Sequence, residues 1–271
     1  VIVRAAVLGS PIEHSKSPVL HDAAYRALGL DDWTYERILC TGEQLPGLVG
    51  GLGPEWVGLS VTMPGKVAAL EFAGQRTDRA VLAGSANTLV RHAGGWRADC
   101  TDVDGVTGAL SESGVVDLAG RSVVVVGAGG TSRPAVVALA GLGAASVTVV
   151  ARSRERAQAT LACASESGMR AAFLDVSDGD LAGVCSRASV LVSTVPAVGA
   201  APVSAALAEA PVVLDAIYDP WPTPLATAVH VAGGIVISGL SMLLNQAYGQ
   251  VEQFTGMPAP REAMRAAIAS L

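Results

Sequence analysis

The sequence is short of charge and of aromatic rings. Asp, Glu, Lys and Arg make up 15% of 271 residues, aromatics 4%, and the net charge is −6. A nucleic-acid-binding chain would be basic or carry a basic stripe. Here the densest cationic cluster is Arg152, Arg154 and Arg156, so a nucleic-acid partner is not expected. The four cysteines, Cys40, Cys100, Cys163 and Cys185, form no C-x-x-C pair and have no metal-ligand spacing. Structural disulfides and a bound metal are therefore not expected, and a reducing cytoplasm is the default compartment. The apolar run Ala5–Leu8 is cut short by Gly9-Ser10-Pro11, which is not the pattern of a secretory signal. Pro134–Ala151 and Pro220–Val251 lack all four charged residue types. Both are punctuated by glycine or proline and read as helix–turn–strand units rather than membrane spans.

Small residues are abundant, with 31 glycines among a 51% hydrophobic total. They suit α/β units in which helices lie close on a sheet, and the length allows two domains, each with its own core. The first strand is expected over Val1–Leu8, and a helix follows from Ser17-Pro18 to about Leu28. Ser17 would be its N-cap, Pro18 its first residue and Gly29 its stop. Tyr35–Leu39 reads as a strand, Glu43–Val49 as a short helix, Thr77–Leu82 as another. Ala86–Val90 and Trp96–Ala98 read as a hairpin around Ala93-Gly94-Gly95. Asp102–Ser113 is an expected connecting helix. Strands then recur at Val123–Val126, Ser146–Val150, Arg170–Phe173, Val190–Val192, Val212–Leu214 and Ile235–Ile237, mostly separated by helical segments. That alternation predicts a doubly wound parallel sheet. Helices at Leu240–Phe254 and Arg261–Ile268 close the chain.

Gly58-Leu59-Ser60-Val61-Thr62-Met63-Pro64-Gly65-Lys66 is the stretch around which the first half is organised. It opens as a strand, and Pro64 forces Met63 into an extended conformation and suits the first turn of a helix. Thr62 then sits at a strand's carboxyl end and Lys66 at the start of a helix. Strand ends are where open α/β sheets bind ligands. By itself the stretch is equally an ordinary strand-to-helix turn with a solvated lysine. Around it the first half concentrates hydroxyls and amides at Ser15, Ser17, Thr62, Asn87 and Thr101, with Lys66 as amine and Asp102 as carboxylate. Such a set suits a small polyhydroxylated acid, although each residue alone is more often a cap or turn former.

Val123–Val126 runs into Gly127-Ala128-Gly129-Gly130-Thr131-Ser132. The strand before it and helix after it make this glycine turn a dinucleotide fingerprint, with Ser132 in place of the third glycine. At the end of the next strand, where an acidic residue would select NAD, the chain has Arg152-Ser153-Arg154. Guanidinium groups and a hydroxyl fit a 2′-phosphate, so NADP is the expected cofactor.

Ser15-Lys16-Ser17-Pro18 with His21, Ser60–Lys66, Ser85–Leu89, Thr101-Asp102, Gly127–Arg133, Asp215–Pro220 and Gly239–Gln246 resemble, in order, the motifs of shikimate dehydrogenases. The resemblance covers nearly the whole chain. It implies a substrate domain formed by residues 1–101 and 239–271, with the final helices returning to it, and a Rossmann NADP domain over 102–238. It further implies NADPH-dependent reduction of 3-dehydroshikimate to shikimate. Lys66 and Asp102 would be the catalytic pair. Ser15 and Ser17 would hold the substrate carboxylate, and Thr62, Lys66, Asn87, Asp102 and Gln246 its hydroxyls, with Tyr218 nearby. Ala216 and Gly239 would join the glycine turn in the cofactor site. The family often has Asn where this chain has Ser60, Asp22 and Cys100, so substrate grip or loop geometry beside Asp102 can differ. Rival readings are a sister enzyme acting on quinate or an amino-substituted shikimate, and an NADP-binding sensor without turnover. A monomer and a homodimer are both compatible with the sequence.

Overall fold

The computed structural model describes residues 2–270, so Val1 of the expected first strand lies outside them. The chain folds as two compact units, Val1–Gly105 with Leu243–Leu271, and Val106–Met242.

The first unit contains β1 (Val3–Gly9), α1 (Ser17–Ala27), β2 (Trp33–Leu39), α2 (Leu45–Gly50) and β3 (Trp56–Val61). It continues through α3 (Lys66–Phe72), β4 (Gln75–Arg76), α4 (Asp78–Ala83), β5 (Thr88–His92) and β6 (Gly95–Asp99). Helix α5 (Asp102–Glu112) begins in this unit and ends in the second. The strands form one mixed sheet in the order β2-β1-β3-β5-β6-β4. β1 pairs in parallel with β2 and β3, whereas β5 runs antiparallel to both β3 and β6. The hairpin turns at Ala93 (φ 47°) and Gly94 (φ 77°), the left-handed pair that lets a two-residue loop match strand twist. β4 is too short to be read from periodicity. Leu8, Leu59 and Leu89 are fully buried, each worth about 1.5–3 kcal/mol relative to exposure.

The second unit contains β7 (Ser122–Val126), α6 (Ser132–Gly141), β8 (Ser146–Ala151), α7 (Arg154–Glu166) and β9 (Arg170–Asp175). There follow α8 (Leu181–Ser186), β10 (Val190–Ser193), the short helices α9 (Ala197–Ala200) and α10 (Ser204–Leu207), β11 (Val212–Asp215), α11 (Pro224–Val231) and β12 (Ile235–Ser238). All its strands are parallel, in the order β12-β11-β10-β7-β8-β9. The order reverses between β7 and β10, which is the switch point of a Rossmann sheet. Val124, Val126, Leu191, Val213, Leu225 and Val229 share one core there. Near-continuous Val runs in β7 and β8 follow from a sheet covered on both faces.

Helix α12 (Gly239–Thr255) starts in the second unit and ends in the first, where α13 (Arg261–Ala269) packs on α1. Gly58 of β3 has no room for a Cβ because the Phe254 ring of α12 lies against it. This close approach brings the polar face of α12 down onto the sheet. Among the described residues, no helix is long and apolar enough to cross a membrane.

Candidate active site

The first-unit site is built where β3 and β5 begin and end beside one another. The Val61 N–H donates to the Asn87 carbonyl at 2.7 Å, and the Ala86 N–H to the Lys66 carbonyl at 2.9 Å. Strand β3 stops at Val61, and Gly65 is the N-cap of α3, so Lys66 is the first helical residue. Pro64 stands in the turn ahead of the helix, not in its first turn as the sequence suggests. Thr62 is half-buried, and its methyl presses on Gly9, where any Cβ would collide with it.

Lys66 Nζ donates to Asp102 Oδ2 at 2.5 Å, with the two side chains 13% and 8% exposed. Asp102 opens α5. Its other oxygen, Oδ1, accepts from Asn87 Nδ2 at 3.0 Å. Asn87 Nδ2 also lies 3.1 Å from Gln246 Oε1 and 2.9 Å from Thr101 Oγ1. The Asn87 carboxamide cannot be reversed, because its Oδ1 accepts from the Thr101 N–H at 2.7 Å. Lys66, Asn87, Asp102 and Gln246, predicted separately, thus form one connected cluster, with Thr101 as its backbone anchor.

Ser15 and Ser17 stand at the entrance to α1. Helix α1 starts at Ser17 with Lys16 as N-cap, so Ser17 is not the cap the sequence suggests. No side chain caps the helix; Ser15 Oγ accepts from the Ser17 N–H at 3.3 Å in the loop ahead of it. Arg37 of β2 holds this loop by donating Nε and Nη2 to the Ser15 carbonyl at 3.0 and 2.7 Å.

Beneath Thr101 and Asp102 lies a charged hub absent from the sequence reading. Asp99 accepts from Arg79 Nε and Nη2 (2.7 and 2.6 Å), Thr77 Oγ1 (2.7 Å), Gln253 Nε2 (2.8 Å) and the Cys100 N–H (2.8 Å). Burial pushes its carboxyl up, but Arg79, Thr77 and Gln253 together outweigh burial and bring it down to about 2. A lowered folded-state value means that the contribution to stability is complete above the ordinary carboxylate range. It is lost as pH falls from about 4 toward 2. Asp99→Asn should therefore lower the Tm at pH 7 and flatten its dependence on pH below 4. Breaking a buried pair costs about 3–5 kcal/mol, and the low end applies because Arg79 also bonds Asp104. Thermal melts of both proteins from pH 2 to 7 check this; parallel curves would remove Asp99 from acid stability.

Cys100 is fully buried, and burial first, then the Asp102 carboxylate, pushes its thiol up to about 12. It stays a protonated packing residue, so its effect on the loop runs through its backbone bond to Asp99.

In the second unit a cavity of about 1010 Å³ opens at the sheet's switch point. Gly127, Ala128, Gly129, Arg152, Ser153 and Arg156 line it. Gly127 has φ 112° and a Cβ there would meet Thr194 Oγ1 at 2.5 Å, so only glycine makes this turn. Gly129 faces open space, as close approach of a pyrophosphate requires. Ser153 caps α7, its Oγ accepting from the Arg156 N–H at 3.3 Å. These features fit a dinucleotide: a tight glycine turn, a helix N-terminus and arginines at the far end.

Some predicted cofactor residues do not line this cavity. Arg154 lies over the Phe173 ring at 5.5 Å and lines a separate shallow groove. The arginine that joins Arg152 at the cavity is Arg156. Residues 154 and 156 are about 200° apart around a helix, so one arginine faces the cavity and the other does not. Gly130 and Thr131 are not among the cavity-lining residues. Ser132 is buried, bonding the Gly129 carbonyl at 2.7 Å and Thr160 at 3.0 Å, which ties the glycine turn to α7. Ala216 and Gly239 pack on each other beyond the ends of β11 and β12. Tyr218 is half-buried in the loop after β11. Asp215 spans that loop, accepting from the Thr223 hydroxyl at 2.6 Å and the Ile217 N–H at 3.3 Å. Among the described residues no group of His, Cys, Asp and Glu is arranged to hold a metal ion.

Three family models match: the shikimate dehydrogenase substrate binding domain over residues 7–89, the saccharopine dehydrogenase NADP binding domain over 123–233, and the shikimate 5′-dehydrogenase C-terminal domain over 239–269. The shikimate dehydrogenase (NADP(+)) of Microcystis aeruginosa is 33% identical, over 97% of this chain and 94% of its own length. The crystal structure of Mycobacterium tuberculosis shikimate dehydrogenase superposes with a TM-score of 0.93 at 59% identity, covering 99% of this chain and all of that one. A shikimate 5-dehydrogenase from Mycobacterium fortuitum gives 0.89 at 64% identity, covering 98% of each chain.

Proposed function

We infer that this chain, which belongs to the shikimate dehydrogenase family, is an NADP-dependent oxidoreductase that interconverts 3-dehydroshikimate and shikimate. The observation that carries the site assignment is the 2.5 Å Lys66–Asp102 pair, held among Asn87, Thr101 and Gln246. When bound, NADPH supplies the hydride, and with it both electrons that reduce the substrate's ring carbonyl. The Lys66 ammonium gives a proton to the carbonyl oxygen as negative charge develops there. Asp102 orients Lys66 through Oδ2 and is itself oriented through Oδ1 by Asn87. Thr62, Asn87 and Gln246 hold ring hydroxyls, and Ser15 and Ser17 hold the carboxylate at the start of α1. In the second unit the glycine turn takes the pyrophosphate, and Arg152, Ser153 and Arg156 take the 2′-phosphate. We place the enzyme in the cytoplasm, as a monomer or homodimer without nucleic-acid or membrane partners. Four buried, unpaired cysteines support that compartment.

The test is initial-rate oxidation of shikimate, quinate and an amino-substituted shikimate with NADP+ and NAD+. Shikimate with NADP+ should have the highest kcat/KM, at least tenfold above quinate, since one unmatched polar group in a hydrogen-bonding site costs that much or more. A preference for quinate would assign the sister activity. NADPH binding without turnover of any of these acids would assign a sensor.

A further inference from the structure

Behind the Asn87–Asp102–Lys66 cluster runs a chain of buried polar side chains to which the reaction assigns no task. Gln250 is 1% exposed and lies one turn beyond Gln246, on the same face of α12. Its Nε2 donates to the Asn87 carbonyl at 3.1 Å and to Thr88 Oγ1 at 3.1 Å. A carbonyl only accepts, so the Gln250 carboxamide has one orientation. Its Oε1 must then accept, and it does so from Ser60 Oγ at 2.8 Å and from His21 Nε2 at 3.4 Å. This fixes the His21 tautomer. The Nε2 carries the proton, and Nδ1 accepts from the Tyr25 hydroxyl at 3.3 Å. Burial holds the imidazole neutral, down to about 3 against the weaker opposing bond from Gln250. Ser60 in turn accepts from the Tyr35 hydroxyl at 2.6 Å, and Tyr35 stacks on His21 with centroids 3.9 Å apart.

On the other side, Thr88 Oγ1 accepts from Gln250 and so has its proton free for Asn87 Oδ1, 3.1 Å away, or for Thr101 Oγ1, 3.0 Å away. Asn87 Oδ1 receives the Thr101 N–H, with the Thr88 and Thr101 hydroxyls 3.1 and 3.2 Å away as further donors, which leaves Nδ2 as the only end that can face Asp102. From Gln250 through the Asn87 carbonyl, Ser60 and His21, each donor and acceptor has one consistent assignment. Such a fully satisfied network specifies one arrangement of its members.

We propose that Gln250 is a positioning residue, which through Thr88 and the Asn87 carbonyl locks the Asn87 carboxamide with its N–H directed at Asp102. The inference rests on the assignment of Asn87 and Asp102 to the substrate site. It is tested by a double-mutant cycle between Gln250→Leu and Asn87→Ala, read as kcat and KM for shikimate and for NADP+ at a temperature well below each Tm. Gln250→Leu should lose roughly tenfold in kcat, the size of one lost hydrogen bond to a charged group, with the KM for NADP+ unchanged. The double variant should be no slower than Asn87→Ala alone, because Gln250 acts through that side chain. A purely structural glutamine would lower the Tm without touching kcat per folded molecule. Thr88→Val removes a single hydroxyl at constant shape and carries the same expectation should leucine at 250 unfold α12. Additive losses in the cycle, or parental kcat in both Gln250→Leu and Thr88→Val, would overturn the proposal. Parental kcat in Asn87→Ala would instead overturn the site assignment beneath it.

Discussion

Lys66→Ala loses about 10²–10⁴-fold in kcat, the range for a positioned acid–base group, and binds NADPH as the parent does. Cofactor binding is unaffected because the residues that line the dinucleotide cavity all belong to the second unit, whereas Lys66 opens α3 in the first. The alanine variant has a second defect. It leaves Asp102, only 8% exposed, without its cation, and removing one partner of a buried pair is destabilising. A low rate in Lys66→Ala alone would therefore mix chemistry with stability. Lys66→Gln separates the two. Its amide can still donate to Asp102 Oδ2, so the Tm should return toward that of the parent, but an amide cannot supply a proton at neutral pH. Both variants should show the loss in kcat, and only alanine a clear loss in Tm. Fluorescence titration with NADPH, thermal melts and steady-state rates give all three readings. Turnover of either variant within a few-fold of the parent would remove Lys66 from the proton transfer.

The residues legible in the sequence are those whose role is fixed by chain-local chemistry. A strand ending at a proline, with a lysine where the next helix starts, locates Thr62 and Lys66 with no knowledge of the sheet. A valine-rich strand followed by a glycine turn locates Gly127 and Gly129 in the same way, since a positive φ and an open face are demands on the backbone. Thr101 and Asn87 are legible as members of a hydroxyl- and amide-rich set, but their connection is not. It depends on β5 and α5 meeting beside α12. Gln250 lies 163 positions from Asn87 and 229 from His21. Nothing in the pattern around Gln250 distinguishes it from a solvated helix residue. Arg79 and Asp99 were hidden for the same reason, as a charge on α4 and a charge at the end of β6 that only the fold pairs. The Ser15 and Ser17 assignment differs by a shift of one cap. Lys16, not Ser17, takes the N-cap position, and Ser15 bonds the Ser17 N–H from the loop before it, which Arg37 from β2 holds in place.

The arginines show a further limit, because there the needed signal was available in the sequence. Once α7 is taken to begin at Arg154 with Ser153 as its cap, the 100° advance per residue places Arg154 and Arg156 on opposite faces. Arg152 precedes the helix and lines the cavity with Arg156, while Arg154 covers Phe173. The double variant Arg152→Ala with Arg156→Ala should thus weaken NADP+ by well over the single-site loss. One charge-assisted hydrogen bond contributes about 1.5–3 kcal/mol, or roughly 10- to 150-fold. Two exposed guanidinium groups sharing one phosphate are not fully additive, so about 10²–10³-fold is expected for the pair. Affinity for NAD+, which lacks the 2′-phosphate, should stay within a few-fold. Arg154→Ala is the internal control. It removes the same charge from the same turn of helix but should leave NADP+ affinity almost unchanged, costing only its contact with Phe173. Raising salt should reduce the NADP+ preference of the parent and have little effect on the double variant, since exposed ionic contacts are screened. Isothermal titration of the four proteins with both dinucleotides reads all of these outcomes. If Arg154→Ala lost NADP+ affinity and Arg156→Ala did not, the helix face assigned to the phosphate would be the wrong one. If the double variant kept the parent's preference for NADP+, the preference would have to come from the backbone of the loop at the end of β8 and not from its arginines.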